Sequence, residues 1–526
     1  MEKTFKYLPV FFLVFIGTVI LSISFEIKGK SLFFSSAHAG FFDRDLELFE
    51  ETVELVAEKY VYPPNFKTLF EGAIEGMVKS IDDEKLAHKK RPEFQTLTWK
   101  GRTLRFHLTY EHQENFASFV NVYNFLVDEF EGKASKSKLE QAAIRGLMDT
   151  LDPYSQFMDN EVFSRSMRDT EGKYGGLGML ITMRDKRLEV VDTMRNSPAR
   201  RAGIKAGDIF VSADGKDVAN IQIEELADRL RGYPDTQVKL SLKRPSDESI
   251  QEYTLTREII EIETVRYETL DGLVGHISIT SFSKQTDNQL EDAFKQAKKD
   301  KVKGFILDLR DNPGGLLTQS VKVAGHFLSP NRLVVYTRGR DKQDYSEYRA
   351  EYDNSQRNTP VVVLVSGSSA SASEIVAGAL RDVGKALILG ETSYGKGSVQ
   401  TIFRISDGAG LRLTTSKYYT PSGIDITEHG IIPDIMVETD LGKDVAEEGI
   451  PEDDIYHKKK TTLPGFPSLR LKEKDVEKIV IQSGGKLDRG HDALLGLAQM
   501  ALKNINTADK KNTLEKVREL AANIIY

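Results

Sequence analysis

The stretch from residue 361 to residue 400 constrains the fold more than any other part of the chain. It opens with a β-branched apolar run, Val361–Val365, and then becomes small and polar through Ser366–Glu374. A helical pattern and a second short apolar run, Ala386–Leu389, follow. Strands that alternate with helices are typical of βαβ units in a parallel sheet. The sequence therefore predicts an α/β core in which a serine-rich turn joins a buried strand to a helix.

The serine-rich turn is suited to hold a nucleophile. Ser371 lies where the predicted helix begins, and the first N–H groups of a helix have no partner within the helix. An oxyanion that forms on a substrate carbonyl needs such donors. We therefore expect Ser371 to act as a nucleophile, with the N–H of Ala372 as one oxyanion donor.

A second loop is expected to supply another donor. The apolar strand Gly304–Leu309 is followed by a polar loop that ends in Gly314 and Gly315. Loops at the carboxyl ends of parallel strands gather at one edge of a sheet, so the loops Asn312–Gly315 and Ser366–Ser373 are predicted to lie close together. Glycine lets the backbone turn an amide inward without a Cβ clash. The N–H of Gly315 is therefore the second candidate oxyanion donor.

A lysine is the candidate base for the serine. Lys396 lies between Gly395 and Gly397, which allow the backbone to approach the core. Burial in an apolar pocket lowers a lysine pKa by up to about 3–5 pH units from its usual value of about 10.4, and a neutral amine can accept the serine proton. Gln400 is expected to orient the amine. On spacing alone, a solvated surface lysine stays open as an alternative.

Two other chemistries have weaker support in this stretch. None of the nine histidines lies between Val361 and Gln400, and no G-x-S-x-G motif occurs. A Ser-His-Asp triad is therefore open but has no local support. The run from Gly390 to Lys396 matches G-x-x-x-x-G-K, yet Gly397 stands where a phosphate loop needs Ser or Thr for Mg²⁺, and a strand-like sequence follows. Nucleotide binding is disfavoured.

Composition restricts the class of protein. A chain of 526 residues predicts about three or four domains. The absence of cysteine excludes disulfides, thiolate metal sites and a cysteine nucleophile. The net charge of −7 and the lack of a long basic run argue against nucleic acid as a partner.

The first 39 residues predict export. Lys3 and Lys6 precede an uncharged apolar run, Leu8–Phe25, which as a helix would be about 27 Å long and nearly span a bilayer. Ala37-His38-Ala39 offers a cleavage site. A cleaved signal peptide and a retained anchor are both open, with the anchor slightly favoured. Both place the remainder outside the cytoplasm; a buried core helix is a weaker alternative.

Residues 41–151 are predicted to be helical and to contain an internal repeat. The segment Leu69–Asp82 aligns with Leu139–Asp152 at an offset of 70 residues, which also aligns Phe49 with Phe119. Apolar spacings of three and four predict two successive helix–loop–helix units; chance similarity of amphipathic helices is the alternative. A polar stretch between the units predicts a hairpin around Lys100-Gly101. We assign residues 41–115 to an extra helical repeat unit and residues 116–171 to the N-terminal helical segment of the predicted enzyme.

Residues 172–258 change to short strands separated by turns, with two short helices. The run Gly175-Gly176-Leu177-Gly178, together with Asn196–Ala199, Ala202–Asp208 and Asp214-Gly215, resembles a PDZ domain. In such domains a glycine-rich turn binds a terminal carboxylate, and the peptide adds as a strand. The resemblance implies peptide-binding residues at Gly175, Gly176, Leu177, Gly178, Met179 and Ile181. A glycine-rich hairpin without a ligand is the alternative.

The remaining segments complete the predicted organisation. Residues 259–440 alternate strands and helices and form the α/β core. Residues 441–526 begin with a charged segment, which predicts a linker, and continue into short helical patterns. No chemistry is indicated after residue 440.

Five motifs together resemble the carboxyl-terminal processing peptidases, or tail-specific proteases. They are Leu151–Ser155, Asp308–Gly315, Ser369–Ile375, Gly395–Gln400 and Thr420–Gly423. The resemblance implies a multidomain α+β and α/β protein: a helical N-terminal region, a PDZ-like β module inserted before a crotonase-like serine-peptidase core, and a helical C-terminal tail. It assigns Ser371 as nucleophile, Lys396 as general base, Gln400 as its support, and Gly315 and Ala372 as the oxyanion hole.

The sequence departs from this family in two places. Tyr394 stands where Phe usually precedes G-K-G, which should be tolerated, and the helical unit at 41–82 is an extra copy without an evident purpose. Dimerisation or binding of an adaptor protein is a hypothesis for that copy.

The predicted function is that of a serine endopeptidase that recognises free apolar C-termini and cleaves nearby. No metal or cofactor is implied. The expected partners are protein or peptide substrates, an adaptor or activator, a second copy of the chain, and a membrane if the N-terminal segment is retained. The expected location is the bacterial periplasm or cell envelope. The rival hypothesis is a catalytically inactive PDZ scaffold.

Overall fold

The computed structural model describes residues 26–27, 30–31, 46–246, 248–270, 273–351, 356–438, 469–482 and 492–503. Two compact units are distinguished, residues 1–47 and residues 48–526. In the first, the described residues include a short hairpin of β1 (Glu26–Ile27) and β2 (Lys30–Ser31). The predicted signal or anchor segment lies outside the described residues. Among those that are described, none of the helices is both long and apolar enough to cross a bilayer.

Four helices form the two predicted helix–loop–helix pairs, α1 (Glu47–Lys59) with α2 (Phe66–Ile81) and α3 (His112–Glu129) with α4 (Lys136–Met148). Residues that the repeat aligns with each other are in contact in the structure. The rings of Phe49 and Phe119 stack with centroids 4.0 Å apart. A Cβ built on Gly146 would lie 2.2 Å from the carbonyl oxygen of Gly72 and 2.8 Å from the Cα of Gly76, its counterpart in the repeat. The two copies therefore pack on each other through equivalent faces.

In the chain, a small antiparallel sheet lies between the two helical pairs. It contains β3 (Ala87–Lys90), β4 (Gln95–Trp99) and β5 (Arg102–Phe106), in that order. The hairpin of β4 and β5 was predicted around Lys100-Gly101, whereas β3 was not. Gln95, Leu97 and Trp99 are buried on one face, because successive side chains of a strand point to opposite sides.

Strand β6 (Gln156–Met158) and helix α5 (Asn160–Glu171) lead into the β-rich module. Its sheet has the order β13-β12-β10-β9-β8, with β11 beside β10, and a core that includes Leu177, Val190 and Leu226. A separate two-stranded ribbon of β7 and β14 carries the chain into and out of the module. The elements are β7 (Lys173–Gly176), β8 (Met179–Arg184), β9 (Arg187–Thr193), α6 (Pro198–Arg201), β10 (Ile209–Ala213), β11 (Lys216–Asp217), α7 (Ile223–Leu230), β12 (Gln237–Lys243), β13 (Ile250–Thr256) and β14 (Glu258–Glu261).

The α/β core is built on a seven-stranded sheet of order β15-β16-β17-β20-β21-β24-β25, in which every neighbouring pair except β15–β16 is parallel. Side chains of β20 alternate between two hydrophobic clusters: Val363 belongs to one and Val362 to the other. The elements are β15 (Val265–Leu270), β16 (Val274–Ile279), α8 (Thr286–Lys299), β17 (Gly304–Asp308), α9 (Leu317–Gly325), β20 (Val361–Val365), α10 (Ala372–Asp382), β21 (Ala386–Gly390), α11 (Ile426–His429) and β24 (Ile435–Glu438).

A second, antiparallel sheet of order β19-β18-β23-β22 lies in the same core, and β6 pairs with its strand β23. Its strands are β18 (Leu333–Arg338), β19 (Tyr345–Arg349), β22 (Ser398–Arg404) and β23 (Gly410–Tyr419). Strand β22 of this sheet begins directly after the loop that contains Lys396. It therefore fixes the position of the predicted base.

The core extends past the boundary predicted at residue 440. Strand β25 (Leu469–Lys472) pairs with β24, and helices α12 (Glu473–Gln482) and α13 (Ala493–Lys503) bury apolar side chains against the sheet. The predicted linker, residues 444–460, lies outside the described residues.

Candidate active site

The two loops that were predicted to lie together do so. The N–H of Ala370 donates to the carbonyl oxygen of Asn312 at 3.0 Å, and the hydroxyl of Ser373 donates to the same oxygen at 3.0 Å. The hydroxyl of Ser369 donates to the carbonyl oxygen of Leu309 at 2.8 Å. Because β17 and β20 are adjacent parallel strands, their carboxyl ends place both loops at one edge of the sheet.

Ser371 has an unusual backbone conformation. It precedes α10 and has φ 55° and ψ −114°, a region that non-glycine residues rarely occupy and that costs about 1–3 kcal/mol. Its N–H donates to the carboxylate of Glu374 at 2.7 Å. The hydrogen bonds of the neighbouring loops hold this conformation, and the serine side chain lines an open cleft.

The glycine pair after Pro313 places an amide beside the serine. Gly314 and Gly315 have φ 101° and 141°, and a Cβ on Gly315 would lie 2.3 Å from the carbonyl oxygen of Phe282. Only glycine fits this position without displacing backbone. Within the described part of the chain, the N–H groups of Gly315 and Ala372 have no acceptor. Both are available for an oxyanion.

Lys396 lies in a partly buried site with few compensating charges. Burial lowers its pKa, and the positive charge of Arg412 lowers it further, whereas Glu374 and Asp152 oppose the change. Its ammonium nitrogen lies 4.8 Å from the centre of the Tyr154 ring. A lysine with a lowered pKa has a larger neutral fraction near pH 7, as a general base requires.

Gln400 is near the lysine but does not bond to it directly. Its side-chain amide donates to the hydroxyls of Ser398 at 2.8 Å and Thr414 at 3.3 Å. In the part of the chain that the structure describes, the side chains of Gln400 and Lys396 share no hydrogen bond. Gln400 lies on β22, and its role as a support for the lysine stays a prediction.

One buried carboxylate links the nucleophile to the base. Glu374 is fully buried and accepts the N–H of Ser371, the N–H of Gly395 at 2.7 Å, the N–H of Lys396 at 2.9 Å and the hydroxyl of Ser393 at 2.5 Å. Burial raises its pKa, which these donors oppose. The sequence carried a signal for this role, because Ser371 and Glu374 have the S-x-x-E spacing of a helix N-terminus.

Three further site residues were missed by the sequence reasoning. The hydroxyl of Tyr418 donates to the carbonyl oxygen of Lys396, and Tyr418 lines the same cleft as Ser371. Asp152 accepts the hydroxyls of Ser155 at 2.6 Å and Thr414 at 3.0 Å, and so fixes the segment that places Tyr154 against the lysine. The motif Leu151–Ser155 was noted, but only the fold shows what it touches.

A cleft of about 550 Å³ joins these groups. Ser371, Lys396, Gln400 and Gly315 all line it, and Ser166 and Thr170 of α5 border it from the side of the β-rich module. The cleft therefore contains a hydroxyl nucleophile, an amine with a lowered pKa and an unpaired backbone amide. Such a set can perform acyl transfer on a carbonyl substrate.

The predicted peptide-binding residues also lie together. Gly175 and Gly176 belong to β7, Leu177 is buried, and Gly178 has φ 71°. The N–H groups of Leu177 and Gly178 have no acceptor among the described residues. Met179 and Ile181 lie on β8, the last strand of its sheet, which leaves one strand edge open for an added peptide.

Comparisons with known proteins agree with this architecture. A model of peptidase family S41 matches residues 273–437, and a PDZ-domain model matches residues 189–244. A carboxy-terminal-processing protease of Bartonella bacilliformis is 39% identical over 333 residues, which cover 62% of this chain and 76% of that protein.

Two further similarities extend to other bacteria and to a solved structure. A probable CtpA-like serine protease of Staphylococcus aureus is 35% identical over 329 residues, 62% of this chain and 66% of that protein. The solved structure of a photosystem II D1 C-terminal processing protease aligns with 26% identity and a TM-score of 0.40, and covers 75% of this chain and 93% of that one.

Proposed function

Since the chain belongs to peptidase family S41 and is a serine protease with a PDZ domain, we propose that Ser371 is its nucleophile and Lys396 its general base. The neutral amine of Lys396 takes the hydroxyl proton as the serine oxygen attacks the scissile carbonyl carbon. The N–H groups of Gly315 and Ala372 stabilise the resulting oxyanion.

The second half of the reaction uses the same groups. The protonated lysine gives its proton to the leaving amine, and an ester between the serine and the new carboxyl end remains. Water then attacks this ester with the lysine again acting as base, and the serine hydroxyl is restored. Gln400 and Tyr418 act as positioning residues, because they hold the strands and the loop that carry the lysine.

The observation that carries the proposal is the linkage through Glu374. This carboxylate accepts backbone N–H groups from both the serine turn and the lysine loop. The nucleophile and the base are therefore held by one buried group. Nothing in the site or the relatives favours the rival hypothesis of an inactive scaffold.

The assignment is tested with Ser371→Ala and Lys396→Ala on an unfolded reporter protein with an apolar tail. Each variant is expected to lose at least about 10³-fold in kcat, because each removes a group on which the other depends. Circular dichroism checks that both variants are folded. Cleavage by either variant at the rate of the unsubstituted enzyme would contradict the dyad.

We propose further that the substrates are proteins with free apolar C-termini. The glycine turn at Leu177 and Gly178 offers amides to a carboxylate, and the open edge of β8 offers a place for an extended tail. The experiment compares a reporter whose C-terminus is free with one whose C-terminus is amidated. Amidation is expected to raise KM by about tenfold or more, and equal KM values would argue against tail recognition.

The proposed location is the bacterial cell envelope, with export directed by the first 39 residues. The extra helical unit at 41–115 is proposed to bind an adaptor protein or a second copy of the chain. Deletion of residues 41–110 is expected to change the oligomeric state in light scattering or to abolish adaptor capture. If neither changes, the unit has another purpose.

A further inference from the structure

The small sheet between the two helical pairs is strongly basic. Residues 85–107 include seven Lys and Arg residues and one acidic residue, Glu93, in a chain whose net charge is −7. All seven cations are exposed. Lys90 pairs with Glu75 and Arg102 pairs with Glu129. Within the described residues the other five have no acidic partner: Lys85, Lys89, Arg91, Lys100 and Arg105.

Several of these cations share one face. The strand register places Lys89, Thr96 and Arg105 side by side across β3, β4 and β5. Neighbouring strands are about 4.8 Å apart, so the backbones of Lys89 and Arg105 are about 10 Å apart. The opposite face of β4 is buried. The basic face is therefore the solvent face.

An aromatic ring holds two of the arginines in place. The guanidinium groups of Arg91 and Arg105 lie 5.4 Å and 3.5 Å from the centre of the Phe94 ring. The N–H of Arg91 donates to the carbonyl oxygen of Phe94 at 2.9 Å and closes the turn between β3 and β4. Cation–π contacts of this kind fix charges that would otherwise move freely.

Nearby acidic residues do not neutralise this face. Asp82, Asp83 and Glu84 lie in the loop after α2, where Asp83 pairs with Lys133. Glu93 lies in the turn beside Arg91. The face is thus cationic, with Thr96 between Lys89 and Arg105.

We propose that the basic sheet face, made of Lys89, Arg91, Phe94, Thr96 and Arg105, docks onto the headgroups of an anionic phospholipid bilayer. Juxtamembrane cations are attracted to such surfaces. The inference rests on the proposed envelope location, toward which the apolar run Leu8–Phe25 also points. Nucleic acid is disfavoured, because the Phe94 ring is covered by arginine and offers no free face for base stacking.

The chain has no cysteine, so one introduced thiol can report on this contact. Thr103 lies on the same face, opposite Thr98, and is exposed. The full-length Thr103→Cys protein is labelled with an environment-sensitive fluorophore. It is then mixed with lipid nanodiscs of phosphatidylcholine, with or without 30% phosphatidylglycerol. The expected result is a blue shift with anionic discs only, reversed by 0.5 M NaCl. A label at Tyr233→Cys, a residue 85% exposed on the PDZ module, should not shift.

Paired charge reversals distinguish binding through this face from a general effect of the protein's net charge. Arg91→Glu with Arg105→Glu should weaken the anionic-disc response by at least about tenfold. Lys298→Glu with Lys303→Glu, which reverse two exposed cations of the peptidase core, should leave it within about twofold. The proposal is overturned by equal losses in the two pairs, by the absence of any lipid-dependent shift, or by tighter retention on single-stranded DNA or an acidic peptide than on anionic discs at the same salt.

Discussion

At the scale of single residues, the pKa of Lys396 is lowered first by burial and then by the positive charge of Arg412. Arg412 lowers the lysine pKa, and its guanidinium donates to the hydroxyl of Ser166 at 2.9 Å. If Lys396 is the base, as proposed, only its neutral amine can act, so kcat/KM should rise with pH and level off above the lowered lysine pKa.

Removal of the Arg412 charge should raise the lysine pKa. In Arg412→Gln, the rise of kcat/KM with pH is expected to move to higher pH, with lower activity at pH 7. Arg412→Lys keeps the positive charge and should leave the pH dependence of kcat/KM unchanged. The measurement is a pH profile of kcat/KM with the tailed reporter. A shift to lower pH in the glutamine variant would contradict the electrostatic account.

We expect the geometry of the proposed dyad to depend on Glu374, which accepts the N–H groups of both Ser371 and Lys396. An amide has one acceptor oxygen, and its NH₂ group would face backbone donors, so Glu374→Gln leaves buried N–H groups unpaired. We expect kcat to fall about 10²-fold or more, with a smaller change in KM. Glu140→Gln is the matched control, because Glu140 is a buried carboxylate that accepts the N–H of Phe49 at 3.0 Å in the helical region.

The comparison between the two glutamate variants is made by steady-state kinetics and thermal unfolding. A Glu140→Gln protein with reduced stability but unchanged kcat, beside a Glu374→Gln protein with reduced kcat, is the expected pattern. Equal loss of kcat in both variants would mean that Glu374 acts through global stability alone.

At the scale of elements, the crossing of α2 and α4 depends on glycine. A Cβ on Gly146 would meet the carbonyl oxygen of Gly72 at 2.2 Å. Gly146→Ala should therefore lower the free energy of unfolding by about 2 kcal/mol, even though alanine is intrinsically the better helix former. Ser137→Ala, at an exposed site on α4, should cost nothing. Urea unfolding measures both, and a Gly146→Ala protein of unchanged or higher stability would show that the helices can move apart.

The elements of this protein differ in how well their sequence predicts them. The strand Val361–Val365 and the helix after Ser371 are local patterns, and the structure contains them where expected. Strand β3 and strand β25 were missed, because each is four residues long, contains charged residues and becomes a strand only by pairing with its neighbour. The roles of Tyr154 and Tyr418 were also missed, because they too depend on tertiary contacts. Their contacts with the dyad join segments that are far apart in the chain, and spacing in the sequence cannot reveal them.

At the scale of the whole molecule, the proposed tail-binding turn and the candidate catalytic cleft are connected through short elements. The ribbon of β7 and β14 ties the PDZ module to the core, and the preceding helix α5 borders the cleft with Ser166 and Thr170. The glycine turn Gly175–Gly178 begins within β7 itself. One continuous stretch of chain, from α5 to β8, therefore borders the cleft and also contains the proposed tail-binding turn.

This arrangement predicts that damage to the tail-binding turn changes KM rather than kcat. In Gly178→Ala, the new Cβ would lie 2.4 Å from the Cβ of Ser197, and the φ of 71° adds strain. KM for the free-tailed reporter should rise at least about tenfold, while kcat changes little. Gly215→Ala is the control, because Gly215 has a similar φ of 73° in the same module but open space around it.

A competing peptide tests whether the glycine turn is the site that recognises the substrate tail. A short apolar peptide with a free carboxylate should raise the apparent KM of the unsubstituted enzyme and of Gly215→Ala, but not that of Gly178→Ala, because only the latter has lost the site for which tail and peptide compete. The amidated peptide should have no effect on any of them. If the free peptide instead inhibits all three proteins by the same factor, it binds in the cleft beside Ser371, and the tail is not recognised by the PDZ module.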